Sequence, residues 1–195
     1  MLVFCVSVFL LVLTPGPAVL TLAGIGAAYG YRAGLKFLLG LICAWNIVIL
    51  AVASGLSSLI LTIPLARTFL LAFSIFYISY LAFQIAAAGE RLSFRRPGSY
   101  PGFKSGLILN LLNPKAYAVT SALFTGFSIY PNDLFIEFAL KISIMNVTWV
   151  PLHLFWLHLG RLLNKLNLSL KIQKLLNYLM SFSLILVIIF SVLTL

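Results

Sequence analysis

Long stretches without charged residues divide the chain. Residues 1–31, 37–66, 68–89, 142–160 and 175–195 contain no Asp, Glu, Lys or Arg, and residues 105–132 contain only Lys115. An α-helix needs about 17–25 residues to cross the hydrocarbon core of a bilayer, and each of these stretches supplies them. The pattern therefore predicts six transmembrane helices, near residues 3–28, 36–58, 66–88, 104–130, 136–160 and 174–194.

The composition agrees with a chain that lies in lipid. Hydrophobic residues make up 63% of it and charged residues 8%, whereas a soluble domain carries about 25% charged residues. So few charges cannot cover a hydrophobic core, which excludes a soluble globular protein, a disordered chain and a disulfide scaffold. The first stretch has no basic segment before it and continues past Ala18, so we interpret it as a retained helix, not a signal peptide.

The net charge of +10 does not indicate nucleic-acid binding, because the bases lie in short segments between apolar stretches. They follow the first, third and fifth predicted helices: Arg32 and Lys36; Arg91, Arg95, Arg96 and Lys104; Arg161, Lys165, Lys171 and Lys174. The loop after the second helix contains only Arg67, and the loop after the fourth has no base before Lys141. Since basic loops stay in the cytoplasm, both termini are predicted to lie outside.

A single transmembrane domain over residues 1–195 would contain two halves of three helices, near residues 1–90 and 104–195. An odd number of helices inserts the second half upside down, which is the inverted repeat of many secondary transporters. Both halves interrupt their first helix at a proline, in Thr14-Pro15-Gly16-Pro17 and in Asn113-Pro114-Lys115. Pro15 and Pro114 lie ~15–18 Å into their helices, so the first and fourth predicted helices are expected to break at the bilayer midplane.

A proline removes a backbone donor and clashes with the preceding turn. Unpaired backbone groups are costly in lipid, so a broken helix persists only where it is buried in protein or lines a wet cavity. The half-helices that start after Pro15 and Pro114 would direct their amide N–H groups and positive dipole ends towards one point, where an anion binds. The competing interpretation, that each proline only kinks a packed helix, stays open.

Lys115 is the residue that indicates a site most strongly, because a lysine at a helix centre costs about 2.5–3.5 kcal/mol on insertion scales. It either caps carbonyls freed by the broken helix or binds a substrate carboxylate, and the two roles are compatible. Gly16 would allow close approach of the backbone to a substrate. We therefore predict a substrate pathway in which the threonine and the asparagines supply side-chain hydrogen bonds. Its residues are Thr14, Pro15, Gly16, Pro17, Asn110, Asn113, Pro114 and Lys115.

Two further residues are candidates for proton transfer or gating. His153 lies near the middle of the fifth predicted helix, where it either carries protons or packs as a buried histidine. Glu137 and Lys141 have the i,i+4 spacing of a helix-end ion pair, and an outer gate is the alternative for Glu137. The chain has neither a GxxxxGK phosphate loop nor a nucleophile with a base beside it, so we expect no enzyme activity and no metal or cofactor.

Several motifs resemble those of the LysE/RhtB amino-acid exporter family. The TPGP motif at 14–17 and the NPKA motif at 113–116 are similar to the two helix breaks of that family. Further similar positions are Gly30, Gly34 and Gly40 around Arg32, then Tyr80 and Leu81, then Pro151, Trp156, Gly160 and Arg161, and finally Asn177 and Met180. The resemblance runs nearly from end to end.

The resemblance implies a six-helix exporter in a bacterial cytoplasmic (inner) membrane that moves an amino acid or small derivative outwards, driven by the proton gradient. It implies a small-molecule substrate and the lipid bilayer as partners, and it leaves a homo-oligomer open. The chain departs from the family at Ala18, where an asparagine commonly follows the TPGP motif. Two alternatives therefore remain: export of a different small solute, and a non-transporting membrane scaffold or accessory subunit.

Overall fold

The computed structural model describes residues 1–13, 16–55, 63–87 and 100–165, and beyond them residues 171–172, 174–175, 178–179, 181–182 and 185–186. Within these ranges every regular element is an α-helix, which confirms the all-α prediction for this part of the chain. Thr14, Pro15 and Glu90 lie outside the described residues, as does most of the predicted sixth helix.

Seven α-helices have defined bounds in the described part of the chain. In chain order they are α1 (Leu2–Leu13), α2 (Pro17–Tyr29), α3 (Tyr31–Ala53), α4 (Pro64–Ala87), α5 (Phe103–Leu111), α6 (Pro114–Thr125) and α7 (Leu134–Lys165). By length and composition, α3 and residues Leu134–Leu162 of α7 can each cross a membrane, and α1 with α2 is a third candidate if the pair forms one span. These are the elements of an all-α membrane protein, while the six-helix inverted repeat stays a prediction.

Both helices that were predicted to break are divided in two. α1 ends at Leu13 and α2 begins at Pro17, with the two axes bent by 53°. α5 ends at Leu111 and α6 begins at Pro114. The second piece of each helix has proline as its first helical residue. Proline is tolerated there because an N–H at that position would have no acceptor within the helix. These prolines therefore begin new helices rather than kinking continuous ones.

Gly30 alone connects α2 to α3, a tighter connection than predicted. Its φ of 83° lies in the left-handed region that favours glycine, and its N–H donates to Gly26 O at 3.2 Å. Because of this one-residue turn, α3 begins at Tyr31, and both Arg32 and Lys36 belong to its first turns. The prediction that a loop separates the first two spans up to residue 36 was therefore wrong.

Helices α3 and α5 cross with their backbones in contact. A Cβ added to Gly40 would overlap the carbonyl oxygen of Phe103, and one added to Gly106 would overlap the backbone of α3. Small residues permit such crossings between membrane helices. The crossing of α2 and α7 is built in the same way, since a Cβ added to Gly160 would overlap the carbonyl oxygen of Ala23. One piece of each broken helix thus packs against an unbroken helix of the other predicted half.

Two asparagines join α3 to α7 near the middle of each helix. Asn46 Nδ2 donates to Asn146 Oδ1 at 3.2 Å, and Asn146 Nδ2 donates to Asn46 Oδ1 at 3.0 Å. The second N–H of each amide donates to the carbonyl four residues earlier on its own helix, at 2.9 Å for Ile42 and 3.0 Å for Ile142. Both N–H groups of each amide are therefore paired, so this polar contact carries no penalty for an unpaired donor.

We expect Gly106→Ala to destabilise the protein, because the added methyl group has to push α3 and α5 apart. Overpacking a well-fitted contact costs about 1–3 kcal/mol, and the obstacle here is backbone that cannot rotate away. Gly102→Ala is the control, since a Cβ at Gly102 would have its nearest neighbours at 4.0 Å. Thermal unfolding in detergent tests the prediction, and equal melting temperatures for the two variants would contradict it.

Candidate functional site

A cavity of about 40 Å³ lies where the two broken helices meet. This volume corresponds to a few water molecules, at ~10–15 Å³ for each. Helices α1, α2, α3, α5, α6 and α7, or the residues that connect them, contribute to its wall. The wall includes several of the predicted site residues, namely Gly16, Asn110, Asn113, Lys115 and His153.

The other predicted site residues are not among the described residues of this wall. Pro17 is buried as the first residue of α2, whereas Pro114 is exposed as the first residue of α6. Glu137 lies on α7 about 24 Å from His153 along the helix axis, so these two candidates do not share a site. Among the described residues, no three His, Cys, Asp or Glu side chains come together as a metal ion would need.

The start of α6 is capped from within the protein. Asn113 Oδ1 accepts a hydrogen bond from the backbone N–H of Lys115 at 3.1 Å, and Asn113 Nδ2 donates to Asn110 Oδ1 at 3.4 Å. Asn110 Nδ2 in turn donates to the carbonyl oxygen of Leu41 on α3 at 3.2 Å. The expectation that α6 presents its first amide to an anion is therefore wrong, because Asn113 already pairs with it.

The start of α2 differs, because its N-cap residue has no side chain that could cap it. Gly16 is its N-cap residue and has no side chain, with extended backbone at φ −154°. Pro17 has no N–H, and the next amides, those of Ala18 and Val19, precede the first intrahelical acceptors. Both residues are in the cavity wall. In the part of the chain that the structure describes, no side chain pairs with these two amides, whereas Asn113 pairs with the first amide of α6.

Lys115 extends from α6 to the break in the other helix. A Cβ added to Gly16 would lie 3.0 Å from Lys115 Cδ and 3.5 Å from Nζ, so the lysine side chain occupies the space that the glycine leaves. Lys115 is half-buried and belongs to the cavity wall, and its Nζ lies beside Gly16 at the start of α2. One helix start and one cation thus face the same small volume.

Aromatic rings form another part of the wall. Trp45 of α3 stacks on Trp149 of α7 with 5.5 Å between ring centroids, and Trp149 stacks on His153 with 3.4 Å between centroids. His153 is 3% exposed, and its Nδ1 lies 2.9 Å from the carbonyl oxygen of Trp149. Because a carbonyl only accepts, Nδ1 carries the proton in this contact. His153 is thus both a packed histidine and a residue of the cavity wall.

Glu137 and Lys141 form a buried ion pair near the N-terminal end of α7, with Lys141 Nζ 2.7 Å from Glu137 Oε1. The same ammonium donates to the carbonyl oxygens of Phe124 at 3.0 Å and Phe127 at 2.6 Å. Glu137 Oε1 also accepts from the backbone N–H of Ile129 at 3.4 Å. The pair therefore binds the end of α6 and the loop after it to α7. The i,i+4 spacing predicted the ion pair but did not indicate that both side chains are buried.

The sequence patterns did not single out the tryptophans of the wall, Trp45 and Trp149. Tryptophan is enriched at the two membrane–water interfaces, yet both residues lie near the middle of the predicted helices 36–58 and 136–160. Each also lies within one turn of the paired asparagine of its helix. A tryptophan in the middle of a span and close to an asparagine could therefore have indicated that these side chains face the protein interior.

Broken helices around a small cavity with a lysine in its wall are typical of solute transporters. The profile of one transporter family, described as LysE type translocator, matches residues 9–194 of the chain. The chain therefore belongs to the LysE type translocator family, whose members are transporters, and it is a membrane transport protein with a small-molecule substrate. No curated protein and no solved structure matches the chain.

We expect Glu137→Gln to lower the melting temperature by roughly 5–10 °C. Removing one partner leaves the buried ammonium of Lys141 without its counter-charge. Asp133→Asn is the control, because Asp133 is exposed and caps the start of α7 by accepting from Ile136 N–H at 3.0 Å, a role that asparagine fills equally well. Thermal unfolding in detergent measures both variants, and equal values would contradict a stabilising role for the pair.

Proposed function

We propose that the protein exports an amino acid or a small amino-acid derivative across the bacterial cytoplasmic membrane, driven by the proton-motive force. The supporting observation is the cavity between the two broken helices, with Lys115 in its wall. Among the described residues of that wall, Lys115 is the only Lys, Arg, Asp or Glu. The site therefore presents one positive charge to a solute, and a carboxylate is its chemical counterpart.

The carboxylate would bind between Lys115 and the start of α2. Lys115 supplies an ammonium, and charge-assisted hydrogen bonds are roughly twice as strong as neutral ones. The amides of Ala18 and Val19 supply further donors, together with the partial positive charge of about 0.5 at a helix N-terminus. Gly16 leaves room for the lysine side chain, so the two helix breaks together provide what neither provides alone.

The ammonium of an amino acid would find acceptors in the same wall. Asn113 Oδ1 and Asn110 Oδ1 each accept one hydrogen bond within the protein, and an amide oxygen has two lone pairs. The face of Trp45 offers a cation–π contact in addition. These groups favour a zwitterion over a solute with a carboxylate alone.

Alternating access requires that two parts of the protein move around the cavity. Asn46 of α3 and Asn146 of α7 donate to each other. A two-fold axis that relates residues 1–90 to residues 104–195 would produce such a reciprocal pair. Both tight crossings, however, join helices of different halves. We therefore expect the moving units to be α2 with α7 and α3 with α5, rather than the two halves of the sequence.

Proton coupling needs a group that titrates, and the three acidic residues of the chain lie outside the midplane positions, at Glu90, Asp133 and Glu137. Among the described residues of the wall, His153 is the titratable one besides Lys115. Its Nδ1 proton is held by the carbonyl of Trp149, so proton uptake would occur at Nε2. His153 is therefore our candidate for proton movement, and a purely structural histidine packed against Trp149 is the alternative.

A scaffold without transport is the competing function, and it would need no cavity at the helix breaks. A continuous packed crossing at Pro114 would have favoured it. The interrupted backbone between α5 and α6 and the polar wall beside it favour a transporter instead.

We expect Lys115→Gln to lower export about tenfold or more, because a hydrogen bond to a charged group contributes about 1.5–3 kcal/mol. Lys115→Arg keeps the charge and should keep part of the activity. Lys104→Gln is the matched control, since Lys104 is exposed at the start of α5. The measurement is efflux from cells preloaded with a panel of dipeptides, with and without a protonophore.

Export at the wild-type rate by both Lys115 variants would contradict the carboxylate role. Release of no amino acid above the empty-vector control, with the protein verified in the membrane, would contradict amino-acid export itself. Release that persists with the protonophore would contradict the proton-driven mechanism alone.

A further inference from the structure

The first turns of α3 carry two basic residues on the outside of the helix. Arg32 and Lys36 are both exposed, and the one-residue turn at Gly30 places them on the helix rather than in a loop. Because they are four residues apart, their side chains start from neighbouring positions of one face, with about 5–6 Å between Cβ atoms. Two cations are therefore close enough together to bind one anionic group.

In the part of the chain that the structure describes, neither of these basic residues has a carboxylate partner. The chain contains three acidic residues. Glu137 pairs with Lys141, Asp133 caps the start of α7, and Glu90 lies outside the described residues. The described residues therefore supply no counter-charge to this end of α3, and an anion from outside the protein can supply it.

The same face of α3 continues as an apolar stripe. Leu39, Cys43, Ile47 and Leu50 are exposed, and they follow the basic residues at the three- and four-residue spacing of one helix face. From Lys36 to Ile47 the helix rises about 16 Å, and half of the hydrocarbon core of a bilayer is about 15 Å. The face is therefore charged at one end and apolar over the depth of one leaflet, as a phospholipid is.

Tyrosine rings indicate that this end of α3 lies at the level of the lipid headgroups. Lys36 Nζ lies 5.6 Å from the ring centroid of Tyr100, and the guanidinium carbon of Arg161 lies 5.2 Å from the ring centroid of Tyr31. Tyrosine is enriched at membrane–water interfaces, and the face of its ring attracts a cation. The ammonium of Lys36 is therefore held at the interface, where the phosphate of a lipid also lies.

We propose that this face of α3, formed by Arg32, Lys36, Leu39, Cys43 and Ile47, binds an anionic phospholipid of the adjacent leaflet. The phosphate accepts from the guanidinium of Arg32 and the ammonium of Lys36, because hydrogen bonds between such charged groups are the strong ones. One acyl chain lies along the apolar part of the face. The basic loops predict that this is the cytoplasmic leaflet, whose anionic lipids attract basic groups of membrane proteins.

The test is binding of dioleoyl phosphatidylglycerol to the purified full-length protein in detergent, measured by native mass spectrometry. Arg32→Gln and Lys36→Gln should each raise the dissociation constant about fivefold, which corresponds to about 1 kcal/mol for one basic residue beside an anionic lipid. Lys36→Arg keeps the charge and should bind as the wild type does. Lys104→Gln is the matched control, because it removes an exposed charge from α5, and it should leave the constant unchanged.

Two further ligands separate a phospholipid from other partners of the same face. Dioleoyl phosphatidylcholine has the same chains without a net charge and should bind more weakly by about fivefold or more. Inorganic phosphate has the charge without the chains, and an excess of it should not displace the phosphatidylglycerol.

Equal affinity for the two lipids, or displacement by phosphate, would overturn the proposal. An equal loss of affinity in Lys104→Gln and Lys36→Gln would also overturn it, since a general attraction to the basic surface would then explain the binding. Dimers that persist in lipid-free protein and bind no phosphatidylglycerol would assign the face to a second copy of the chain instead.

Discussion

Lipid offers no hydrogen-bond partner to an interrupted helix, so the backbone groups at each break have to be satisfied inside the protein. At the second break this requirement links several features. The glycine crossing brings α5 against α3, which puts Asn110 within reach of the carbonyl of Leu41. Asn110 accepts from Asn113, and Asn113 caps the amide of Lys115. The position of Lys115 therefore depends on the contact between α3 and α5, which Gly40 and Gly106 make possible.

The two breaks are related in sequence but differ in chemistry. When they are aligned on Pro15 and Pro114, the next residue is Gly16 in one and Lys115 in the other. The lysine side chain lies against the glycine, so the absence of a side chain at one position makes room for the charge at the other. The same difference leaves the start of α2 uncapped while Asn113 caps α6. The carboxylate site that we propose would follow from this inequality, which an exact repeat would not provide.

Local sequence rules located the breaks and the lysine, because proline geometry and the cost of a charge in lipid act on single residues. They did not locate Trp45 in the cavity wall, because its place there depends on which helix faces α3. The one-residue turn at Gly30 was missed for a similar reason, since a glycine between apolar stretches is compatible with a loop of any length. For Lys141, the i,i+4 spacing indicated the partner Glu137 but not the carbonyls of Phe124 and Phe127, which come from another helix end. Contacts between helices are thus what the pattern leaves undetermined.

The strengths of the helix contacts determine where the protein can move. Backbone contacts at Gly106 and Gly160 join helix pairs along surfaces that separate only by losing close packing. The contact of α3 with α7 includes a pair of amides, and such interhelical hydrogen bonds contribute about 0.6 kcal/mol on average in a membrane protein. Trp45 and Trp149 stack beside this weaker contact, and the cavity lies there too. In the mechanism that we propose, relative motion of the two helix pairs would change the wall that holds Lys115 and Trp45, and it would couple the binding of a solute to the movement that releases it.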